Sequence, residues 1–232
     1  MPTHRARSRS PHASSDTPTE RRTATDAVAE FLGDAAHFPG GHAPAVVLPR
    51  DEAQLASVLR DAASVLPVGA QSSLTGGATP MGEVVLSLSK LSACGKPSAT
   101  HITVQPGVTL TSLRGRLTAA GKAYPPVPTY EGATVGGIVS TNAAGAATFK
   151  YGTTRDWVRG LSVMLACGEL LELERGQVCA ELGRFEIETS EGTITVPVPT
   201  YQMPDVPKHS AGYHAAPDMD LIDLFIGSEG TL

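Results

Sequence analysis

Apolar positions first recur at helical spacing at Ala27, Val28, Phe31 and Leu32, behind Thr25 and Asp26, either of which can cap the helix. A short β-branched run, PAVVLP at 44–49, reads as a strand. The helical period returns in RDEAQLASVLRDAASV, where Leu55, Val58, Leu59 and Ala62 share one face. Asp51 stands at the N-cap there, with Gln54 three residues on in capping-box position. VLPVG is extended again. Strand, helix and strand in close order predict a βαβ unit, and hence a partly parallel sheet.

Further along, Val85, Leu86 and Leu88 in EVVLSLSKL mark a strand, and HITVQPGVT reads as another, ended by Pro106-Gly107. TLTSLRGRLTAAGK is a helix with Thr109 as N-cap and Gly121 as its C′ stop. YPPVPTYEGATVGGIVSTNAAGAA allows at most one short helix, near Val135–Val139. LSVMLACGELLEL alternates as a hairpin turning at Cys167-Gly168. Residues 175–220 are irregular apart from short strands in RFEIET and TITVPV, and DLIDLFIG reads as a last amphipathic helix. Many short strands with few helices predict an α+β fold. The chain closes on GSEGTL, a glycine turn after a helix where a strand should begin, so the expectation is a domain incomplete at its C-terminus.

Composition changes this picture at the N-terminus. The first 22 residues carry five Arg against Asp16 and Glu20, a net +3, whereas the remainder carries −8. They show no hydrophobic period and are rich in Arg, Ser, Thr and Pro, so residues 1–22 are expected to be a disordered tail ahead of a domain at 23–232. A body so acidic is a poor nucleic-acid binder, because phosphate neutralisation needs clustered cations. No apolar run approaches the roughly 20 residues of a membrane-spanning helix, which leaves peripheral membrane association open. Cys94, Cys167 and Cys179 are odd in number and form no CxxC pair, which fits a reducing, cytoplasmic setting.

The candidate chemistry lies in two glycine-rich loops. GxGxxG occurs nowhere, and the P-loop spacing fails: Gly115 precedes Gly121-Lys122 by one residue too many, and Ala123 offers no hydroxyl to a metal. What remains is PVGAQSSLTGGATP at 67–80 and a second loop at 130–145, both long and almost without charge. Glycine lets a backbone approach an anion closely, and main-chain N–H groups with hydroxyls and amides can satisfy a pyrophosphate without lysine. Each loop taken singly also fits an ordinary turn, since Gly, Ser, Thr and Asn dominate turns.

The run PVGAQSSLTGGATPMGEVVLSLSKL, followed in order by VQPGVTLTSLRGRLTAAG, GATVGGIVSTNAAGAATFKYGTTRDWV and LFIGSEGTL, resembles the FAD-linked oxidases of the vanillyl-alcohol oxidase/PCMH type. Within that family it is most similar to the branch that holds glycolate oxidase and D-lactate dehydrogenase. The resemblance covers roughly residues 44–232. It implies a PCMH-type FAD-binding domain of two α+β subdomains with FAD between them, the substrate cap domain missing. By the same resemblance Pro67, Val68, Gly69, Ala70, Gln71, Ser72, Ser73, Leu74, Thr75, Gly76 and Gly77 wrap the pyrophosphate. Gly132, Ala133, Thr134, Gly136, Gly137, Ser140, Thr141, Asn142, Ala143 and Gly145 line the flavin and ribityl side, and Glu229 and Gly230 lie in the closing cofactor segment. Relatives that attach flavin covalently often place a histidine in the first loop. This loop has none, so dissociable FAD is expected.

The implied chemistry is oxidation of a small D-2-hydroxy acid of the lactate or glycolate type by hydride transfer to FAD, with an unidentified electron acceptor. No position here matches the family's base or carboxylate anchor, so the catalytic residues stay unassigned. Two alternatives remain open: a non-catalytic FAD-binding fragment needing a missing cap domain or partner chain, and a plain α+β domain whose glycines only make turns. Of the other candidates, His209 and His214 read as surface residues before a metal pair. Lys208 and Tyr213 fit either a cofactor contact or a solvated loop. Tyr151 and Arg155 fit a place beside the flavin, and Trp157 fits that or packing under the second subdomain, the latter favoured. Cys94 and Cys167 have no basic sequence neighbour to lower a thiol pKa, which argues against nucleophilic roles.

Overall fold

The computed structural model describes residues 3–12, 17–126, 128–206, 209 and 212–231. In chain order the elements are β1 (Arg5–Arg9), β2 (Glu20–Arg22), α1 (Thr25–Ala29), β3 (Val46–Leu48), α2 (Glu52–Asp61), β4 (Val65–Val68) and β5 (Val84–Ser87). There follow α3 (Leu110–Thr118), α4 (Val135–Ser140), α5 (Thr148–Tyr151), β6 (Gly160–Met164), β7 (Leu170–Glu174), β8 (Arg184–Thr189), β9 (Gly192–Pro197) and α6 (Ile222–Phe225), with 3-10 turns at Leu88–Lys90 and Thr154–Trp157. The chain divides into two units. One holds residues 12–124 and 130–138, the other residues 1–11, 125–129 and 139–232, and the chain passes from the first to the second within α4. Together they make the α+β fold expected from the pattern of elements.

The first unit is built on a four-stranded sheet ordered β2-β3-β5-β4, in which β3, β5 and β4 run parallel and β2 antiparallel. The expected βαβ unit is present, with β5 inserted between its two strands. Val46 and Val85 are fully buried and pair across β3 and β5, with Val28, Leu48 and Val68 packed beside them. Asp51 Oδ1 caps α2 by accepting from Gln54 N–H at 2.8 Å, while Gln54 Oε1 accepts from Arg50 N–H at 2.9 Å. The predicted face of α2 is displaced. Gln54 and Ala56 are buried, whereas Leu55, Val58 and Leu59 are half-buried, because the Gln54 amide reaches the Thr17 carbonyl at 2.7 Å and turns that side inward.

Two other expectations in this unit need adjustment. Neither Thr25 nor Asp26 caps α1; Ala24 holds that position with no side-chain bond. HITVQPGVT forms no strand, only an antiparallel bridge from Val104 to Cys94, because Pro106 lacks an N–H and Gly107 N–H turns to the Leu91 carbonyl at 2.8 Å. Helix α3 ends as predicted. Gly121 has φ 66°, Lys122 N–H donates to Leu117 O and Gly121 N–H to Thr118 O, the Schellman arrangement.

The second unit is a five-stranded sheet ordered β6-β7-β1-β8-β9, antiparallel except between β1 and β8. Its β6–β7 hairpin turns at Cys167-Gly168 as predicted, with Gly168 at φ 79° and Leu165 N–H donating to Glu169 O at 2.8 Å. The central strand is the correction. Residues 1–22, expected as a disordered tail, supply β1 here and β2 in the other unit. Composition misled because the arginines alternate with Ala6 and Ser8. Ala6 turns into the core, while Arg5, Arg7 and Arg9 meet Glu186, Glu188 and Glu172 on the outer face. Phe185, Leu171, Leu221, Ile222 and Ile226 form the fully buried centre of this unit. Helix α6 is a single turn in which Ile222, Asp223 and Leu224 are all buried, so its polar residue faces inward instead of marking a solvent face.

Candidate functional site

The first glycine-rich loop leaves β4 at Gly69 and returns at Pro80. Val68 is buried as the last residue of β4, whereas Pro67, Gly69, Ala70, Ser72, Leu74, Thr75 and Gly77 are exposed. Gln71 takes a left-handed backbone (φ 47°), and its amide donates to the carbonyls of Phe31 at 2.9 Å and Ala78 at 2.8 Å. Ser73 and Thr75 hydroxyls lie 2.8 Å apart and Thr75 N–H donates to Ser73 Oγ, so the loop braces itself at that point. Thr79 N–H closes the turn on Gly76 O at 3.1 Å. Among the described residues, the N–H groups of Gly69, Ala70, Ser72, Leu74, Gly76 and Gly77 donate to nothing. A run of free main-chain donors without a nearby cation matches an anion that the backbone itself grips.

The second loop, up to α4, is held differently. Leu110 N–H donates to Ala133 O at 2.8 Å, Val135 N–H to Val108 O at 2.8 Å and Gly136 N–H to Pro106 O at 2.9 Å, so main chain holds main chain. A Cβ on Gly136 would lie 2.8 Å from Pro106 Cβ, which is why the position takes glycine. Glu131, the one charge in the loop, pairs with Arg114. The two loops meet. A Cβ on Gly69 would fall 2.1 Å from the buried Thr134 Oγ1, so the strand end of the first loop lies directly on the start of α4. That contact with Thr134 is what requires glycine at position 69, and the free N–H groups along the loop suit the phosphates of an extended dinucleotide.

Residues 139–145 and 227–230 converge in the second unit. Glu229 N–H donates to Ser140 O at 2.7 Å and Gly227 N–H to Val139 O at 3.0 Å. Gly227, Glu229 and Gly230 all take positive φ, which folds this closing segment onto Ser140. Asn142 (φ 46°) accepts Arg155 N–H on Oδ1 at 2.9 Å, Thr154 Oγ1 donates to Ala143 O at 2.6 Å, and Gly145 N–H donates to Thr148 Oγ1 at 3.0 Å. Arg155 in turn donates to Asp223 Oδ1 at 3.0 Å and to the Asp223 carbonyl at 2.6 Å, and Arg175 meets the other Asp223 oxygen at 2.7 Å. Burial pushes the Arg155 guanidinium below its usual range, against the opposing pull of Asp223.

The remaining candidates are distributed around this second cluster. His209 and His214 line a small cavity of about 20 Å³ with Asn142, Arg155, Gly212 and Gly227, and among the described residues no group of metal-ligating side chains forms. Burial, then the Arg155 charge, hold His214 below the ordinary histidine range, with Asp223 opposing. Tyr213 hydrogen-bonds the Thr231 hydroxyl, and Lys208 lies outside the described residues. Trp157 is not packed away: it is 44% and Tyr151 42% exposed, the two tied by Trp157 Nε1–H to Tyr151 O at 2.8 Å. Sequence reasoning missed Asp34 and Asp223, two buried carboxylates, and also Phe38. The carboxylates gave a faint signal, each an acidic residue flanked by apolar ones, Asp34 in FLGDAAHF and Asp223 in LIDLF.

Residues 43–174 match the family described as FAD binding domain. The chain is similar to a D-2-hydroxyglutarate dehydrogenase of Xanthomonas citri pv. viticola, 35% identical over 178 residues that cover 72% of this chain and 38% of that protein. It is also similar to a D-lactate dehydrogenase of Anaerostipes hadrus, 36% identical over 171 residues, 72% of this chain and 29% of that protein. The chain thus spans well under half the length of these curated relatives. Its fold is similar to that of a glucooligosaccharide oxidase from Acremonium strictum with a 6-S-cysteinyl, 8α-N1-histidyl FAD, at a TM-score of 0.59 and 20% identity, covering 68% of this chain and 35% of that one. No helix among the described residues is long and apolar enough to cross a membrane.

Proposed function

The chain belongs to the FAD binding domain family, and from that premise we propose that it forms the FAD-holding part of a cytoplasmic flavin-dependent dehydrogenase or oxidase acting on a small D-2-hydroxy acid. The observation that carries this reading is the uncharged first loop, with its unpaired N–H groups, resting through Gly69 on Thr134 of the second. In this reading residues 67–77 grip the pyrophosphate by main-chain amides and the Ser72, Ser73 and Thr75 hydroxyls. Residues 132–137 carry the adjoining part of the cofactor. Bound FAD supplies an acceptor for the hydride that leaves the alcohol carbon. The substrate class follows the relatives, whose names give D-2-hydroxyglutarate and D-lactate.

FAD is bound without a covalent link: residues 67–80 contain neither histidine nor cysteine to attach it. The test is reconstitution of the purified protein with FAD, followed by acid precipitation and anaerobic titration with D-2-hydroxyglutarate, D-lactate or glycolate. The proposal expects yellow protein, flavin released into the acid supernatant, and bleaching by one of these acids but not by its L-enantiomer or, for glycolate, an unrelated alcohol. Flavin retained in the pellet would contradict the non-covalent link. Protein that takes up FAD but is bleached by none of them is a binding module. Protein that takes up no FAD contradicts the proposal as a whole.

A further inference from the structure

The first loop is held from beneath by a segment that carries no glycine-rich signature. Asp34 follows α1 in FLGDAAHF and is only 5% exposed. Its carboxylate is used entirely on main chain: Oδ1 accepts Ala36 N–H at 3.0 Å and Oδ2 accepts Ala78 N–H at 3.2 Å, while its own N–H donates to Thr79 Oγ1 at 3.3 Å. Gln71 repeats the connection from the other side, its side-chain amide N–H groups on the Phe31 and Ala78 carbonyls and its main-chain carbonyl accepting Ala35 N–H at 3.0 Å. Gly76 (φ 80°) lies on the Phe38 ring, where a Cβ would come within 3.1 Å of Cδ2. Residues 31–38 therefore fasten both limbs of the loop 71–79.

A buried carboxylate is costly unless it is paired or hydrogen-bonded. Among the described residues no Lys, Arg or His pairs with Asp34, so backbone amides alone stabilise it. A turn that served only to reverse the chain would not need this. The geometry points to Asp34 as the positioning residue of the first loop. It fixes residues 71–79 so that the Ser72, Gly76 and Gly77 N–H groups stay unpaired and available to a pyrophosphate. The inference rests on reading that loop as the FAD pyrophosphate cradle. It extends that reading to a ligand class, nucleoside diphosphates, which the loop would bind without any flavin ring.

Two effects of Asp34 on an anion have opposite signs, and this makes the inference testable. As a charge near a pyrophosphate it repels, so Asp34→Asn should tighten binding if charge dominates. As a positioning group it should weaken binding, because the amide leaves one buried N–H facing another. One unpaired buried donor lowers the ratio of ordered to disordered loop by roughly five- to a hundredfold, and apparent affinity falls as the ordered share drops. The experiment measures FAD, ADP and riboflavin binding to the wild-type chain, to Asp34→Asn and to Gln71→Met, with thermal melting of each. The expected result is FAD and ADP weakened together by about tenfold or more, with riboflavin binding unchanged. Asp34→Asn binding ADP as tightly as wild type, or tighter, overturns the inference, as does an equal loss of riboflavin. If Asp34→Asn does not fold, Gln71→Met decides the matter on the same criteria. A wild-type chain that binds neither FAD nor ADP contradicts the flavin reading itself.

Discussion

The two glycine-rich loops reach their shapes by opposite means. The first is long, exposed and held by side chains, the buried Asp34 carboxylate and the Gln71 amide, that reach its backbone from outside or within. The second is held mainly by backbone pairing to residues 106–111 and by close contact at glycine, with Thr111 Oγ1 on the Glu131 carbonyl and Arg114 on its carboxylate adding side-chain ties at one point. Where the chain continues into residues 139–145, buried charge returns, in Arg155 and Asp223. A loop fastened by side chains keeps its own N–H groups free for a ligand. A loop fastened by backbone consumes them and contributes a surface instead. The first loop should thus fail through loss of polar partners or through added volume at Gly69 and Gly76, and the second chiefly through added volume.

Substitutions can break or sharpen that contrast. The largest effect is expected from Asp223→Ala, which leaves Arg155 and Arg175 without their shared carboxylate and should cost about 3 kcal/mol or more in chemical denaturation, with loosening around Asn142. Next comes Gly136→Ala, whose Cβ meets Pro106 Cβ at 2.8 Å and the Pro106 carbonyl at 3.3 Å, for a loss of about 1–3 kcal/mol. A tolerated Gly136→Ala would show that the second loop is not held by close packing. Gly77→Ala in the first loop should by contrast change stability by less than about 0.5 kcal/mol, since its Cβ would meet only Thr75 Oγ1 at 3.5 Å.

A smaller effect is expected with pH. The folded chain holds His214 below its ordinary value of 6.5, so on acidification the unfolded chain takes up a proton that the folded one declines. Stability contributed by neutral His214 is complete above that value and is lost as pH falls from it toward the depressed folded value. Melting temperatures measured between about pH 7.5 and about 5.5 should fall more steeply for wild type than for His214→Asn. Parallel slopes would remove His214 from the account.

Much of this was legible in the sequence where local chemistry decides the outcome. Asp51, Thr109, Gly121 and Gly168 act in the caps and turns their types and spacing predicted. The βαβ unit followed from one helical period between two β-branched runs. What escaped prediction depends on partners far away in the chain. Arg5–Arg9 looks like a solvated tail until Glu172, Glu186 and Glu188 are set beside it, and no pattern within 22 residues announces strands more than 160 positions on. Asp34 was passed over for the same reason: its carboxylate serves Ala78, 44 residues later. Gln71 reads by resemblance as one of the residues that wrap the pyrophosphate; its side-chain amide is bonded to the Phe31 and Ala78 carbonyls, a tie that its type and place in the loop do not announce.

The most direct measurement is FAD titration of Gly77→Asp beside wild type, with melting curves for both. Gly77 is exposed and its backbone is outside the left-handed region, so an aspartate there adds a charge at the free N–H groups without distorting the fold. The account predicts unchanged melting without cofactor and FAD affinity lowered by about a hundredfold or more. Equal affinity in the two proteins would contradict it.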